Sequence, residues 1–216
     1  TIYSAVDRME EIGDEATDGA FYRVEVLPRR TTVDTALFDY RGATVFASSN
    51  PQSVTNFMGY LGYAVNGVNS YLYKSFSPVT DSLFGIRYLA LNAEETTRAQ
   101  NESYLRYVDQ VSNGGTTYSI FENTTALPLG FYTGSSIHEW TPSRYDPIAS
   151  QNALYESLTG DKVDLYTIGT PRVVSGGGGV SGDTAFNMTA SGSSTVGEFA
   201  VSVAKTGQTY VFVDCR

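Results

Sequence analysis

The stretch DSLFGIRYLALN, Asp81 to Asn92, constrains the fold more than any other part of the chain. Five of the six residues from Ile86 to Leu91 are apolar, and Gly85 and Asn92 bracket them. Such a run reads as a short turn feeding a buried strand, because its length and its flanking residues suit a strand better than a helix. Asp81 and Arg87 nevertheless stand beside it. A charge in an apolar interior costs several kcal/mol or more unless it is paired, so these two residues, and Arg23 inside the apolar AFYRVEVL, need partners.

The rest of the chain alternates between helical and extended patterns up to about residue 160. Ile2, Ala5, Val6, Met9 and Ile12 follow helical spacing, with Gly13 as the expected stop. AFYRVEVL is a strand with Tyr22, Val24 and Val26 on one side, and ATVFASS is a second strand. SNPQSVTNFMGYLG predicts a helix capped by Ser49 or Asn50, with Pro51 in its first turn and Val54, Phe57, Met58 and Leu61 as its stripe. ESYLRYVDQV carries Tyr104, Leu105, Val108 and Val111 at helical spacing. TYSIFEN and LGFYTG read as strands flanking the loop TTALP. YDPIASQNALYESLTG predicts a helix capped by Asp146, started by Pro147 and ended by Gly160.

From residue 161 the pattern changes. VDLYTIG, PRVVS, TAFNMTA, GEFAVSVA and TYVFVDC are short alternating runs joined by Gly and Ser, which suits a sandwich. The glycine run in SGGGGVSGD has no Gly-Lys-Ser/Thr and no helix after it. It reads as a hairpin loop, not a phosphate cradle. The expected class is α+β: a mixed α/β part over residues 1–160, then a β-rich, sandwich-like part over 161–216. Five short strands are fewer than a sandwich of seven or more needs. Either the N-terminal strands complete that sheet or the chain continues beyond Arg216.

Several function classes are excluded at this stage. The formal net charge is −9, and the densest basic spot is Pro28–Arg30, so nucleic acid and anionic membrane surfaces are not expected partners. One cysteine, Cys215, and one histidine, His138, exclude a Cys-rich or multi-His metal site, and no cofactor motif is present. No apolar run reaches the roughly 18 residues of a membrane span. A Ser-His-Asp triad would have to use His138, and no Gly-x-Ser-x-Gly elbow exists. The acids of EEIGDEATD suit a solvated helix face, and no DxDxDG calcium loop occurs.

Two groups of residues remain as candidates. Tyr60, Tyr63, Tyr71 and Tyr73 interleave with Asn66 and Asn69. Their amphipathic rings could stack on sugars or, as the commoner alternative, pack the core. Arg23, Asp39, Ser48, Ser49, Asp81, Arg87 and Asn123 form a possible polar cluster, with Asp39 and Asp81 as the natural acids to pair with Arg23 and Arg87.

FYRVE, DYRGATVFASSNPQSVTNFMGYLGY, DSLFGIRYLALN, SIFENTTALPLGFY and DPIASQNALYESLTG occur in an order that resembles the YfhO family of bacterial multi-pass membrane proteins. The resemblance covers Ala20 to Gly160. It implies that this segment is the extracytoplasmic domain of an integral membrane protein similar to glycosyltransferases that use a polyprenyl-phosphate sugar. Such enzymes act on cell-envelope polymers such as lipoteichoic acid, and this domain would be an accessory or acceptor-positioning part of one, with the parent's transmembrane helices and a cell-envelope glycopolymer as its partners. The catalytic acid of such enzymes lies near the membrane, outside this segment, so no catalytic residue is carried over. The same resemblance makes DSLFGIRYLALN a central strand, has Asn123 tying down the backbone, and has Pro128 fixing the loop exit. Two other classes compete: a stand-alone carbohydrate-binding or adhesion module, which needs Tyr60 to Tyr73 on the surface, and a glycan hydrolase, which needs two acids in one cleft.

Overall fold

The computed structural model describes residues 2–143, 146–167, 169, 171–175, 178–181, 185–188, 198–202 and 209–211. The chain divides into two compact units, Thr1–Val163 with Gln208–Arg216, and Asp164–Gly207. The class is α+β.

The first unit runs α1 (Ile2–Thr17), β1 (Arg23–Leu27), α2 (Asp34–Leu37), β2 (Val45–Phe46), α3 (Gln52–Tyr60), β3 (Ala64–Val65), β4 (Ser70–Leu72), α4 (Pro78–Leu83), β5 (Ile86–Leu91), α5 (Ala93–Ala99), β6 (Leu105–Asn113) and β7 (Thr116–Asn123). A short 3-10 helix (Ser135–Glu139) and α6 (Pro147–Thr159) follow. The main sheet has four strands in the order β1-β5-β7-β6, parallel between β1 and β5 and antiparallel elsewhere. A smaller sheet has the order β2-β4-β3.

β5 lies between two cores. Tyr88 and Ala90 join Ile2, Val6, Met9, Tyr22, Val24 and Val26 on the face that α1 covers. Ile86, Leu89 and Leu91 join Leu27, Met58, Tyr63, Tyr73, Phe76 and Phe121 on the other. Both sides of the strand are apolar, so its sequence runs nearly continuous and not alternating.

The first helix continues past Gly13 to Thr17. Gly13 does not stop it; it makes room for β1's approach, since a Cβ there would stand 2.3 Å from Cζ of Tyr22. The Tyr22 ring is buried, packs edge-on against Tyr88, and shares its hydroxyl proton between Glu10 O and Asp14 Oδ1.

The segment expected to be a helix at Glu102–Val111 is instead strand β6. The turn decides it: Gly114 and Gly115 have φ of 60° and 79°, the two positive values that a two-residue hairpin of type I′ requires. Asn113 then pairs with Thr116, and the ladder continues back to Leu105 opposite Asn123. A register shift between Tyr107 and Asp109 explains the misleading spacing. The bulge breaks the strand's alternation, so Val108 and Val111 both pack on the α1-side core while Leu105 serves the opposite one.

Other boundaries moved as well. Of ATVFASS only Val45–Phe46 is strand. The helix after it begins at Gln52, and the Asn50 side chain bonds Thr55 Oγ1 instead of capping backbone. LGFYTG is irregular, with Leu129, Phe131 and Tyr132 exposed, so it has no buried face to hold a strand. The helix at Pro147–Thr159 forms as its sequence predicts: Asp146 accepts from Ala149 N, and Gly160 closes it in the left-handed conformation.

The second unit contains β8 (Pro171–Ser175), β9 (Gly178–Ser181), β10 (Ala185–Met188) and β11 (Glu198–Val201), paired as two antiparallel ladders, β8 with β11 and β9 with β10. Part of the glycine run is therefore strand, not loop, since ladder hydrogen bonds need no side chain. The described residues of VDLYTIG form no strand, and neither do Thr209–Val211; the remainder of TYVFVDC, including Cys215, lies outside the described residues.

Gly13→Ala tests the α1–β1 contact. Helix propensity alone would favour alanine by about 1 kcal/mol, but the buried Tyr22 ring cannot move aside freely. The expected outcome is a net loss of roughly 1–3 kcal/mol in a denaturant melt, and a gain would contradict the packing.

Candidate functional site

An open-sided groove of about 200 Å³ lies at one end of the main sheet, lined by Thr17, Ala20, Phe21, Tyr22, Gly85, Arg87, Ala126, Leu127 and Pro128. Three pieces of chain meet there: the end of α1 with the loop into β1, the turn into β5, and the loop after β7. Gly85 makes the floor possible. Its φ is +61°, and a Cβ would stand 2.9 Å from the Leu127 carbonyl. The far wall is pinned to the sheet by Asn123, which is buried, donates to Ile86 O, and accepts from the Thr125 N–H and hydroxyl. Leu127 N donates to Ser82 O, and the Ser82 and Thr125 hydroxyls bond each other.

Arg87 is the only charged residue in this lining. It sits at a register irregularity: Arg23 pairs with Ile86 and Val24 with Tyr88, so Arg87 is the extra residue of β5. A bulge re-aims a side chain in this way. Its Nη2 donates to Glu122 Oε1 at 3.2 Å, and Glu122 also accepts from Arg106 Nη2. Its Nε is buried with no hydrogen-bond partner. Arg23 donates to Phe84 O and lies 5.0 Å from the centre of the Phe21 ring, with Arg41 5.8 Å from the same ring.

The acids expected to pair with these arginines do not. Asp39 is exposed, with φ of 53°, and Asp81 is wholly buried in α4. Cross-strand geometry chose Glu122 for Arg87 and Arg106, because Glu122 lies opposite both Tyr88 and Arg106 in the ladders. Ser48 and Ser49 sit exposed in the turn after β2 and join no cluster with Arg87.

Asp81 is instead a buried carboxyl held by hydroxyls. Its Oδ2 accepts from Tyr73 Oη at 3.1 Å, Tyr104 Oη at 3.0 Å and Ser77 N at 3.1 Å, while Oδ1 has no partner. Burial pushes its pKa well above the ordinary carboxylate range, against the pull of those donors. Glu25 shares this character. It accepts from Arg29 Nη1 at 2.9 Å and Ala43 N at 2.6 Å, yet burial raises it to about 7.

The tyrosine row does not form a surface. Tyr63 and Tyr73 belong to the core, and Tyr60 and Tyr71 are half-buried. Tyr63 packs against Tyr71, Tyr73 and Phe84. The groove residue Phe21, the Arg87 partner Glu122 and the buried pair Glu25–Arg29 were not singled out from sequence. The alternation in RVEVL and SIFEN, which places Glu25 and Glu122 between apolar neighbours, was the available signal.

The groove lining holds no carboxylate, as a hydrolase cleft would need. Among the described residues no three His, Cys, Asp or Glu side chains gather as a metal site would require. His138 is exposed on the 3-10 helix. No helix among the described residues is long and apolar enough to cross a membrane.

Fold and groove thus describe an α+β segment with a groove lined mainly by apolar residues and one arginine. A family model, described as bacterial membrane protein YfhO, matches residues 2–216, and the chain belongs to the YfhO family. The match extends over the β-rich second unit as well as the part whose motifs carry the resemblance. No curated protein and no solved structure gives a significant match.

The two raised carboxyls predict how stability depends on pH. Each keeps its proton in the fold after the unfolded chain has released it. The resulting stability is full below the ordinary carboxylate range and is lost as pH rises to the folded value, a window from 4.5 to about 7 for Glu25. The unfolding free energy from denaturant melts, and with it the midpoint, is expected to fall between about pH 5 and pH 8, the free energy by an amount on the order of 3 kcal/mol from Glu25. Asp81→Asn should flatten the slope. A midpoint that climbs over this window would contradict both assignments.

Proposed function

We propose that this chain is an extracytoplasmic part of a bacterial membrane glycosyltransferase that draws sugar from a polyprenyl-phosphate donor, and that it positions a cell-envelope polymer without making bonds itself. Family membership supports the membrane context. The observation that carries the acceptor role is the groove: an aromatic wall at Phe21 and Arg87 as the one charged residue, with no acid in the lining. Binding sites combine apolar walls with a few directed polar groups, whereas glycoside cleavage requires paired carboxylates.

The test uses cells that make the parent membrane protein. Phe21→Ala, at a half-exposed rim position, should lower decoration of the cell-envelope polymer at unchanged protein level in the membrane, while lipid-linked sugar accumulates. Unaltered decoration would remove the acceptor-positioning role. Sugar transfer catalysed by the 216-residue chain alone would overturn the division of labour.

A further inference from the structure

We infer that the loop tip formed by Leu129, Phe131 and Tyr132 rests in the headgroup layer of the bilayer that holds the parent protein, so that lipid and not water covers these side chains. This contact is independent of the acceptor role above. It rests on the loop itself and on membership of a membrane-protein family.

Leu129 is 70% exposed, Phe131 38%, and Tyr132 stands wholly open to solvent. Three large side chains within four positions make a patch, unlike the single apolar residues that any surface carries. The loop is fastened on both sides of this patch. Before it, Leu127 N donates to Ser82 O, and Asn123 holds Thr125. After it, the Thr133 hydroxyl donates to Leu158 O and the Ser136 hydroxyl to Ser157 O, both on α6. The sheet and α6 thus present the tip outward.

No residue from Thr124 to Ile137 is charged, in a chain with 14 basic and 23 acidic residues. Other exposed apolar side chains stand among charges, Leu37 between Asp34 and Asp39 and Tyr107 between Arg106 and Asp109. Charges resist leaving water for a bilayer, so those surfaces are barred from it and the tip is not. The net charge of −9 gives no attraction to anionic lipid. The tip needs none, because burial of its apolar surface drives the contact.

The backbone sets the depth. Among the described residues, the N–H and C=O groups of Leu129 to Thr133 have no hydrogen-bond partner. Hydrocarbon does not tolerate such groups, whereas water and lipid headgroups satisfy them. Aromatic side chains concentrate at the same level, with the ring in an apolar layer and the hydroxyl in a polar one. A protein partner fits less well. Three side chains bury at most a few hundred Å², and each side of a stable protein interface buries roughly 800 Å².

The experiment places the parent membrane protein, with its cysteines replaced by serine, in vesicles of phosphatidylcholine and phosphatidylglycerol. A nitroxide is attached at Tyr132→Cys or, as a control, at Gln110→Cys, an exposed site on β6. Electron paramagnetic resonance then measures its collisions with oxygen, which concentrates in bilayers, and with a nickel chelate, which stays in water. The ratio of oxygen to chelate access should be severalfold higher at the Tyr132 site than at the Gln110 site. Leu129→Asp should bring it down toward the control, because a carboxylate at the tip resists leaving water. A ratio equal to the control would place the tip in water and overturn the inference. Low access to both reagents would mean that protein covers the tip, and would overturn it equally. Neither readout involves polymer decoration, so the acceptor role stands or falls separately.

Discussion

The structure depends on one constraint: β5 must be covered on both faces. Tyr88 and Ala90 require α1 on one side, and Ile86, Leu89 and Leu91 require the α3–α4 side on the other. Parallel pairing with β1 and antiparallel pairing with β7 satisfy its backbone. The groove is then fixed by where β5 starts. The turn at Gly85 forms the groove floor, and the bulge at Arg87 sets the one charged side chain of its lining.

Charged groups near this strand are handled in three ways. Glu25 and Arg29 are fully buried as a pair, and breaking one partner of such a pair costs far more than the pair itself contributes. Asp81 has no cation within reach of a salt bridge among the described residues and is held by two tyrosine hydroxyls and a backbone N–H; burial favours its protonated form against the pull of those donors. Arg87 and Arg106 share Glu122 near the ends of their strands, where the exposure of the two arginines lets water screen part of the interaction. The first two are enclosed in the interior. The third places Arg87 in the lining of the groove, whereas the tyrosine cluster is packed into the core.

Local patterns made much of this legible beforehand. The stripe of α1, the buried run of β5, the strand Thr116–Asn123 and the capped helix Pro147–Thr159 follow from residues that are neighbours in sequence. What escaped depends on long-range geometry. β6 was hidden because a bulge imitates helical spacing, although the Asn113-Gly114-Gly115-Thr116 turn was a readable hairpin signal. The partner of Arg87 was hidden because Glu122 lies 35 positions away and reaches it only through strand pairing. The groove itself joins Phe21, Gly85 and Pro128, which no spacing rule connects.

If β5 is the element on which the sheet and the groove are built, its backbone must be the last to open. Amide hydrogen exchange on the full chain measures this directly, since buried strands exchange only through global unfolding while loops open locally. Tyr88 to Leu91 should be among the slowest amides, exchanging with the free energy of complete unfolding, and the loop from Ala126 to Gly134 should exchange far earlier. Early exchange of Tyr88 to Leu91, ahead of α3 or of that loop, would contradict the central place given to this strand.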